Sequence, residues 1–368
     1  MLSQQPTPDH KPTAPRSPGR PRPAAALLLT LGALLAAQLA HAPGASADEE
    51  NRGRFNGNTE DTSGQGGGGD RGLSAHAGIT ITTRGGNGGG GGPISSVDTS
   101  WTPPPCYYAP TYTPTEFKQS FEDYLNNTPL HSGKGEAARM HEEAYGEDSE
   151  YNDHNLDREG EGMWWSSVIN TASNDHEGQL ACDEPTFWVD FGDAPPDIPG
   201  VPTPELLAEL AYANTRVPDT AIETNPEAEH TVNLPTWIWL DAADYQPVEV
   251  TAQVEGYDIW ATTRAEPSAL TIRPGTEDAT LHPSSGTCPT TDDGAIGTPF
   301  PGGAPEQAPP CGVTYLRATH ATGPYQLSAG LTWSIDWQGS GGTGGDLPDG
   351  TYTTDQDVEV QEIQTIVR

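Results

Sequence analysis

Carboxylate and amide oxygens are concentrated in one acidic segment in the middle of the chain. Twelve residues carry seven such side chains: Asp148, Glu150, Asn152, Asp153, Asn155, Asp157 and Glu159. Ca²⁺ binds oxygen ligands, and an EF-hand loop starting at Asp148 would place Glu159 at the ligating last position. Asp153 occupies the sixth position, where a Gly makes the sharp turn. The segment therefore indicates a solvated acidic loop or a weak calcium site, with these candidate ligands: Asp148, Asp153, Asn155, Asp157 and Glu159.

Three histidines lie near this segment and could contribute a transition-metal ligand: His141, His154 and His176. Their separations do not match the i, i+4 spacing that places two imidazoles on one face of a helix. We therefore expect them to be surface histidines.

Paired aromatic residues are the candidates for ligand binding. Tyr107 and Tyr108 form one pair and Trp164 and Trp165 another. Exposed rings of this kind stack on sugars or peptides, because they combine a large apolar face with a polar edge. The alternative is that one member of each pair faces a core.

Motifs for nucleophilic catalysis are missing from the sequence. There is no G-x-S-x-G elbow, and Ser340 lacks the Asp that precedes a trypsin-like serine. Among 52 acidic residues many pairs could be imagined around a sugar ring, so no glycosidase pair is assigned. We therefore predict no catalytic residue and no cofactor.

The chain is strongly acidic, with 17 Lys and Arg against 52 Asp and Glu and a formal net charge of −35. A field of this sign repels phosphate backbones and anionic lipid headgroups. Nucleic acid and membrane surfaces are therefore poor candidates for partners.

The N-terminal region is typical of an export signal. Residues 1–22 carry four basic side chains, residues 24–40 are apolar, and Ala45-Ser46-Ala47 has the A-x-A pattern of a cleavage site. We predict a signal peptide over residues 1–47 and a secreted chain with no further membrane span, while a retained signal-anchor is the alternative.

Four cysteines in an exported chain predict two disulfides rather than a reactive thiol. Three pairings are possible. We favour Cys106–Cys182 and Cys288–Cys311, because each pair then lies within one predicted region.

Residues 48–100 are rich in glycine and predict a disordered linker, since such a stretch cannot bury enough apolar surface to offset its ordering entropy. The exception is residues 79–83, whose composition suits a strand at a sheet edge.

Residues 101–232 predict a mixed helical and irregular segment. Thr113-Pro114-Thr115-Glu116 is a capping box followed by apolar residues at helical spacing, so a helix is expected over 114–126. Weaker helices are expected over 136–145 and from Thr203-Pro204 to before Pro218.

From residue 233 to the end the apolar period changes to two. Residues 325–337 alternate apolar and polar side chains over thirteen positions, and residues 248–254 do the same. Further strands are expected over 236–240, 257–263, 270–272, 312–317 and 357–367. About seven short strands with turns between them indicate a mainly β fold, a two-sheet β-sandwich.

The order of these strands resembles a polycystic-kidney-disease (PKD) type immunoglobulin-like domain. Residues 270–275 (LTIRPG) stand at the Trp-Asp-Phe-Gly-Asp-Gly turn of that family, and residues 312–315 (GVTY) at its His-Thr-Tyr position. Residues 323–327 (GPYQL) match its Gly-x-Tyr-x-Val strand. The resemblance implies a PKD-like β-sandwich over 233–368.

Over residues 101–368 the chain also resembles a family of secreted actinobacterial proteins often labelled "ATP/GTP-binding". Residues 106–110 (CYYAP), 233–241 (NLPTWIWLD) and 339–345 (GSGGTGG) carry this resemblance. A phosphate-binding loop needs G-x-x-x-x-G-K-[ST]. Gly133-Lys134 is followed by Gly135, and Thr128 stands where the first Gly is required. We therefore expect no ATP or GTP binding.

These features predict a secreted, non-catalytic module that contacts an extracellular protein or polysaccharide of the cell envelope. Because the prediction draws on a fold type used mainly for contact, two alternatives stay open. One is a secreted hydrolase with a site in residues 101–200, and the other is a calcium-stabilised structural protein.

Overall fold

A computed structural model describes residues 73–76, 78–85, 91–127, 134–171, 173–291, 294–303 and 306–363. These residues form a mainly β fold, as predicted, with three helices of ten residues or more: α1 (Pro114–Asn127), α2 (Lys134–Tyr145) and α3 (Pro204–Ala213). The strands in chain order are β1 (Leu73–His76), β2 (Ile79–Gly85), β3 (Gly92–Pro93), β4 (Ser95–Ser96), β5 (Cys106–Tyr112), β6 (Gly162–Ile169), β7 (Phe187–Asp190), β8 (Arg216–Val217), β9 (Glu223–Asn225), β10 (Glu229–Thr231), β11 (Pro235–Leu240), β12 (Val248–Val254), β13 (Trp260–Arg273), β14 (Ala279–His282), β15 (Thr287–Pro289), β16 (Ile296–Gly297), β17 (Gly312–Tyr315), β18 (Tyr325–Gly339) and β19 (Thr343–Gln361).

The largest sheet has the strand order β1-β2-β12-β13-β18-β19-β10. The predicted alternation in β12 and β18 is confirmed, since every second side chain of both strands is buried except Trp337, which is half-buried. Trp333, at the middle of β18, is fully buried. Side chains of period two segregate to the two faces of a sheet, which gives the sheet one apolar face and one polar face.

Strand β13 joins two strands that the sequence predicted separately. The register against β18 shifts between Pro267 and Ala269, so the two halves form one bulged strand. A bulge accommodates the missing N–H of Pro267 without ending the pairing with β18.

A second sheet, β14-β17-β11-β16 with β9 paired to β11, shares a hydrophobic core with the largest sheet. Ile238 and Val313 of the second sheet are fully buried in that core together with Leu270 and Leu331 of the first. The Cys288–Cys311 disulfide joins β15, which pairs with β13, to the residue preceding β17. The favoured pairing of both disulfides is therefore confirmed.

Helix α3 covers another part of the apolar face. Leu207, Ala208 and Ala211 are fully buried, and the Thr263 hydroxyl of β13 donates to the Ala208 carbonyl at 3.0 Å. The helix begins as predicted, with Pro204 in its first turn and the Thr203 hydroxyl accepting the Leu206 N–H at 3.1 Å. It ends at Ala213, before Pro218 as expected.

We expect Thr203→Ala to lower the free energy of unfolding by about 1 kcal/mol, because the Leu206 N–H then loses its acceptor. Thr203→Ser restores the acceptor and serves as the control. Urea unfolding followed by circular dichroism measures both, and equal stability of the Ala and Ser variants would contradict the capping role.

Residues 101–232 contain more β-structure than predicted. Strands β5, β6 and β7 form a three-stranded antiparallel sheet, and α1 packs beside it. The Cys106–Cys182 disulfide closes this part of the chain. The sheet joins the common core where the Trp165 indole donates to the Tyr257 hydroxyl at 3.1 Å.

The prediction of a disordered linker is wrong for residues 79–85. Strand β2 pairs with β12 along seven residues and with β1 on its other side. Ile79 and Ile81 are buried in the core, and this burial supplies the apolar area that the glycine-rich flanks lack. Strand pairing also crosses the predicted boundary at residue 233, because β4 and β10 both pair with β19.

The predicted signal peptide, residues 1–47, lies outside the described residues. Among the residues that the structure describes, no helix has the length and apolar character needed to cross a membrane.

Candidate functional site

The acidic segment does not gather its carboxylates around a common point. Asp148 and Asp157 are exposed on the surface. The Glu159 carboxylate accepts hydrogen bonds from the Thr115 N–H at 3.1 Å and the Thr115 hydroxyl at 2.9 Å, so it binds the first turn of α1. Within the described ranges no group of three or more His, Cys, Asp or Glu is arranged to hold a metal ion. The EF-hand interpretation is therefore not supported by this geometry.

Of the remaining two candidates, Asp153 belongs to a partly buried series of hydrogen-bonded side chains, whereas Asn155 is buried nearby but is not part of that series. Lys118 of α1 donates to both Asp153 carboxylate oxygens at 2.9 and 3.0 Å. The other partner of Asp153 is Nδ1 of His154, at 3.0 Å. Nε2 of His154 lies 2.9 Å from Nε2 of His141 in α2. Four side chains from α1, α2 and the acidic segment thus form a hydrogen-bonded series.

An unusual backbone conformation places His154 in this series. Four consecutive residues, Asn152 to Asn155, have positive φ values of 40°, 55°, 64° and 58°. Asn and Asp tolerate the left-handed region better than other non-glycine residues, yet each such residue costs free energy that the surroundings must offset. The Trp164 indole donates to the His154 carbonyl at 3.0 Å and helps to hold this turn. The Asn155 amide nitrogen is buried without a hydrogen-bond partner.

Aromatic rings seal the two imidazoles from solvent. Phe121 stacks on His141, while Phe117 and Tyr145 contact both histidines. His141 is 3% exposed and His154 is 5% exposed. The prediction of surface histidines is therefore wrong for both, and it holds for His176, which is exposed. Tertiary packing of α1 and α2 on the acidic segment, and not helical spacing, brings the pair together.

The proton arrangement of the pair follows from its partners. The Asp153 carboxylate can only accept, so Nδ1 of His154 donates to it, and in the contact between the two imidazoles one Nε2 donates and the other accepts. Burial, followed by the nearby His154, lowers the pKa of His141 to about 3. The Lys118 ammonium and then His154 hold the pKa of Asp153 below its ordinary value. The two imidazoles of the series are buried, whereas the Lys118 and Asp153 side chains are partly exposed.

The aromatic pairs predicted to bind ligands are part of the core. Trp164 and Trp165 are fully buried, and Tyr107 and Tyr108 are nearly so. In each pair both members face apolar surroundings, because strands β5 and β6 are covered on both sides. The binding interpretation of these four residues is therefore wrong, and burial raises the pKa of Tyr107 as well.

A different tryptophan lies in a surface cleft that the sequence analysis did not single out. The cleft has a volume of about 430 Å³. Its lining combines one half-buried indole with a carboxylate, an amide, two hydroxyls and three backbone glycines: Asp258, Trp260, Gln338, Gly339, Ser340, Gly341, Gly342 and Thr343. We call it the Trp260 cleft.

Two structural elements build the Trp260 cleft. Trp260 begins β13, and the turn between β18 and β19 forms the opposite wall. Gly341 and Gly342 both have φ of 72°, a conformation that glycine adopts at little cost. The Trp260 N–H donates to the Ser340 hydroxyl at 3.3 Å, and the Thr343 hydroxyl donates to the Ser340 carbonyl at 3.0 Å. The turn is thereby tied to the start of β13.

The polar face of the largest sheet continues from this cleft. Trp260 is directly opposite Gln253 of β12, and two residues further Thr262 is opposite Thr251 and Gln338. The Thr251 and Thr262 hydroxyls are 2.7 Å apart. Hydroxyl and amide groups therefore extend across β12, β13 and β18 on the side of the sheet that carries the Trp260 ring.

A second cleft, of about 250 Å³, adjoins the first. We call it the proline cleft, after its lining residues: Pro195, Pro196, Asp197, Ile198, Val201, Pro202, Thr203, Pro204, Ile259 and Ser340. Gly339 permits this arrangement, since a Cβ there would lie 2.6 Å from the Pro204 Cβ. Ser340 lines both clefts.

The alternation of side chains along its strand could have identified Trp260 from the sequence. Ala261, Thr263 and Ala265 are buried, so the alternation places Trp260, like Thr262, on the opposite, solvent-facing side of the strand. A large apolar ring at a polar-face position is the feature to search for.

Compared with protein-family models, curated proteins and solved structures, the chain matches none of them.

Proposed function

We propose that this chain is a secreted, non-catalytic module that binds an extracellular polysaccharide through the Trp260 cleft. The main support for this proposal is the composition of that cleft, in which the half-buried Trp260 ring is flanked by Asp258, Gln338 and Ser340. An indole face packs on the C–H face of a pyranose ring, while carboxylate, amide and hydroxyl groups bond to its hydroxyls. This is the combination of groups that an uncharged sugar requires.

Two properties of the chain support an extracellular setting. Both disulfides have their sulfur atoms within bonding distance, and disulfides persist in oxidising compartments. The formal net charge of −35 keeps such a protein soluble. The PKD-like immunoglobulin fold belongs to the same proposal, with two sheets around a shared core in its favour.

Charge also restricts the kind of polysaccharide. Asp258 lies within the cleft, and the whole chain is acidic. Polyanionic glycans that carry phosphate or uronate groups would be repelled, since like charges raise the cost of association. The ligand of this proposal is therefore a neutral or cationic glycan.

Trp260→Ala tests the proposal directly. For any polysaccharide that the unaltered chain binds, loss of the stacking ring should weaken binding about 30-fold, which corresponds to about 2 kcal/mol for a central aromatic contact. Affinity electrophoresis and titration calorimetry against neutral, cationic and anionic polysaccharides would measure it.

Trp239→Ala is the matched control, because Trp239 is also a half-buried strand tryptophan but lies in the second sheet. Its variant should bind like the unaltered chain. Retention of no polysaccharide, or equal loss in both variants, would overturn the proposal.

A further inference from the structure

Two neighbouring rows of uncharged side chains cross the polar face of the largest sheet. In the first row, Trp260 of β13 is opposite Gln253 of β12, and Gln253 is opposite Thr80 of β2. Gln253 is exposed, while Trp260 and Thr80 are half-buried. This row therefore leads from the Trp260 ring towards the β2 side of the sheet.

The second row lies two residues further along the strands and includes one strand more. Gln338 of β18, which lines the Trp260 cleft, is opposite Thr262 of β13. Thr262 is opposite Thr251 of β12, and Thr251 is opposite Thr82 of β2. All four side chains are exposed or half-buried. We call the two rows together the uncharged belt.

The dimensions of the uncharged belt suit a sugar chain that lies across the strands. Two residues along a strand cover about 7 Å, and adjacent strands are about 4.8 Å apart. The belt is therefore about as wide as a pyranose ring, and the strand spacing is close to the rise of one unit in an extended, equatorially linked chain. From β13 to β2 it offers room for about three units.

The side chains of the belt also match the bonding groups of an uncharged sugar. Threonine hydroxyls and glutamine amides can both donate and accept, as sugar hydroxyls do. The Thr251 and Thr262 hydroxyls are 2.7 Å apart and bond to each other, so both are ordered before a ligand arrives.

A row of alternating charge borders the uncharged belt. Arg84, Glu249 and Arg264 are opposite one another on β2, β12 and β13, and Asp336 of β18 continues the row. Arg264 pairs with Glu249 at 3.6 Å and also with Glu266. Because acidic and basic side chains alternate in this row, its charges oppose each other and favour neither an anionic nor a cationic ligand.

From the uncharged belt we propose that the ligand is a linear, uncharged glycan bound along its length. One sugar stacks on Trp260, and the following units cross β12 and β2 between the two rows. The inference rests on the proposed function and narrows it, because it selects a neutral chain over a cationic one. Since each unit contacts the side chains of one strand, affinity depends on the length of the chain.

Oligosaccharides of two to six units test this dependence by titration calorimetry with the full chain. The probes are the cello-, xylo- and manno-series, which are all linear, neutral and 1,4-linked. In a series that binds, affinity should rise about fivefold for each unit added from two to about four, since each unit gains about one net hydrogen bond. Equal affinities of the disaccharide and the hexasaccharide would overturn the inference.

Fully deacetylated chito-oligosaccharides test the selection for a neutral chain. They share the cello-backbone and carry a positive charge on each unit. They should bind no more tightly than cello-oligosaccharides of equal length, and tighter binding would overturn the inference.

Thr82→Val removes a hydroxyl from the strand of the belt that is farthest from the cleft and keeps a β-branched side chain. Hexasaccharide binding should weaken about fivefold, while disaccharide binding should not change. Thr332→Val is the matched control, because Thr332 is also half-buried on the polar face but lies on β18 outside the belt. Equal hexasaccharide affinities of the two variants would contradict the proposed path.

If Thr82→Val lowers the melting temperature, Gln253→Ala at an exposed position of β12 tests the same path, with the same expected loss. The outcomes separate the two proposals. Affinity that is independent of length, and lost in Trp260→Ala, would overturn the extended path and keep the sugar-binding function. No binding of any polysaccharide or oligosaccharide would overturn the function itself.

Discussion

Acidification from pH 7 to pH 4 is expected to lower the free energy of unfolding by about 3 kcal/mol through His141 alone. The folded-state pKa of this imidazole is lowered to about 3, whereas its ordinary value is 6.5. His141 therefore gains a proton near pH 6.5 in the unfolded chain but only near pH 3 in the folded chain. The stabilisation is complete above pH 6.5 and is lost progressively as the pH falls through this window.

The surroundings of His141 and His154 explain why His141 stays unprotonated in the folded state. The ionisable groups that contact His141 and His154 are Tyr145 of α2 and Asp153 of the acidic segment, and Lys118 of α1 pairs with Asp153. The Asp153 carboxylate is already paired with Lys118 and His154. A charged His141 would thus lie among aromatic rings and beside a second imidazole, without an anion of its own.

His141→Gln isolates this contribution, because a Gln amide can donate to Nε2 of His154 and does not titrate. Unfolding of this variant should take up about one proton fewer between pH 6.5 and 4, so its free energy of unfolding should fall less steeply as the pH is lowered. His176→Gln, at an exposed histidine, should keep the original slope. Urea unfolding at a series of pH values measures all three chains, and parallel slopes for the unaltered and His141→Gln chains would contradict the assignment.

The neighbouring Asp153 carboxylate does not obscure this result. The pKa of Asp153 lies below its ordinary value of 3.8, chiefly because Lys118 donates to it. Asp153 stabilises the fold above pH 3.8 and loses that contribution only as the pH falls through its folded-state pKa. The effects of His141 and Asp153 therefore occupy different parts of the pH range.

Removal of the Cys106–Cys182 disulfide is expected to have the largest effect on stability, about 4.5 kcal/mol. Its cysteines are 76 positions apart, and cross-linking a loop of this length lowers the entropy of the unfolded chain by about that amount. Urea unfolding of the Cys106→Ser/Cys182→Ser chain measures the loss.

The Cys288→Ser/Cys311→Ser chain is the comparison, since its cysteines are only 23 positions apart and the same argument gives about 3.5 kcal/mol. A greater loss in this second chain would show that contacts of the disulfide, and not loop length, dominate.

Local patterns determined the elements whose periodicity is strong. The thirteen alternating residues of 325–337 form all but the last two residues of β18, and Thr203-Pro204 begins α3, because pleat and cap geometry depend on neighbouring residues alone. The disulfide pairing also followed from the order of the cysteines along the chain. The prediction of a disordered linker failed at residues 79–85, since a short apolar run becomes a strand only when another strand pairs with it, and here β12 does so.

The tertiary structure alone decided which polar and aromatic side chains meet. His141 and His154 are thirteen positions apart and lie on different elements, so their 2.9 Å contact follows from the packing of α2 against a left-handed turn. The burial of Trp164 and Trp165 and the partial exposure of Trp260 likewise depend on which faces of β6 and β13 are covered. Sequence alone fixes the periodicity of a strand, but coverage of its faces is a contact between residues far apart in the chain.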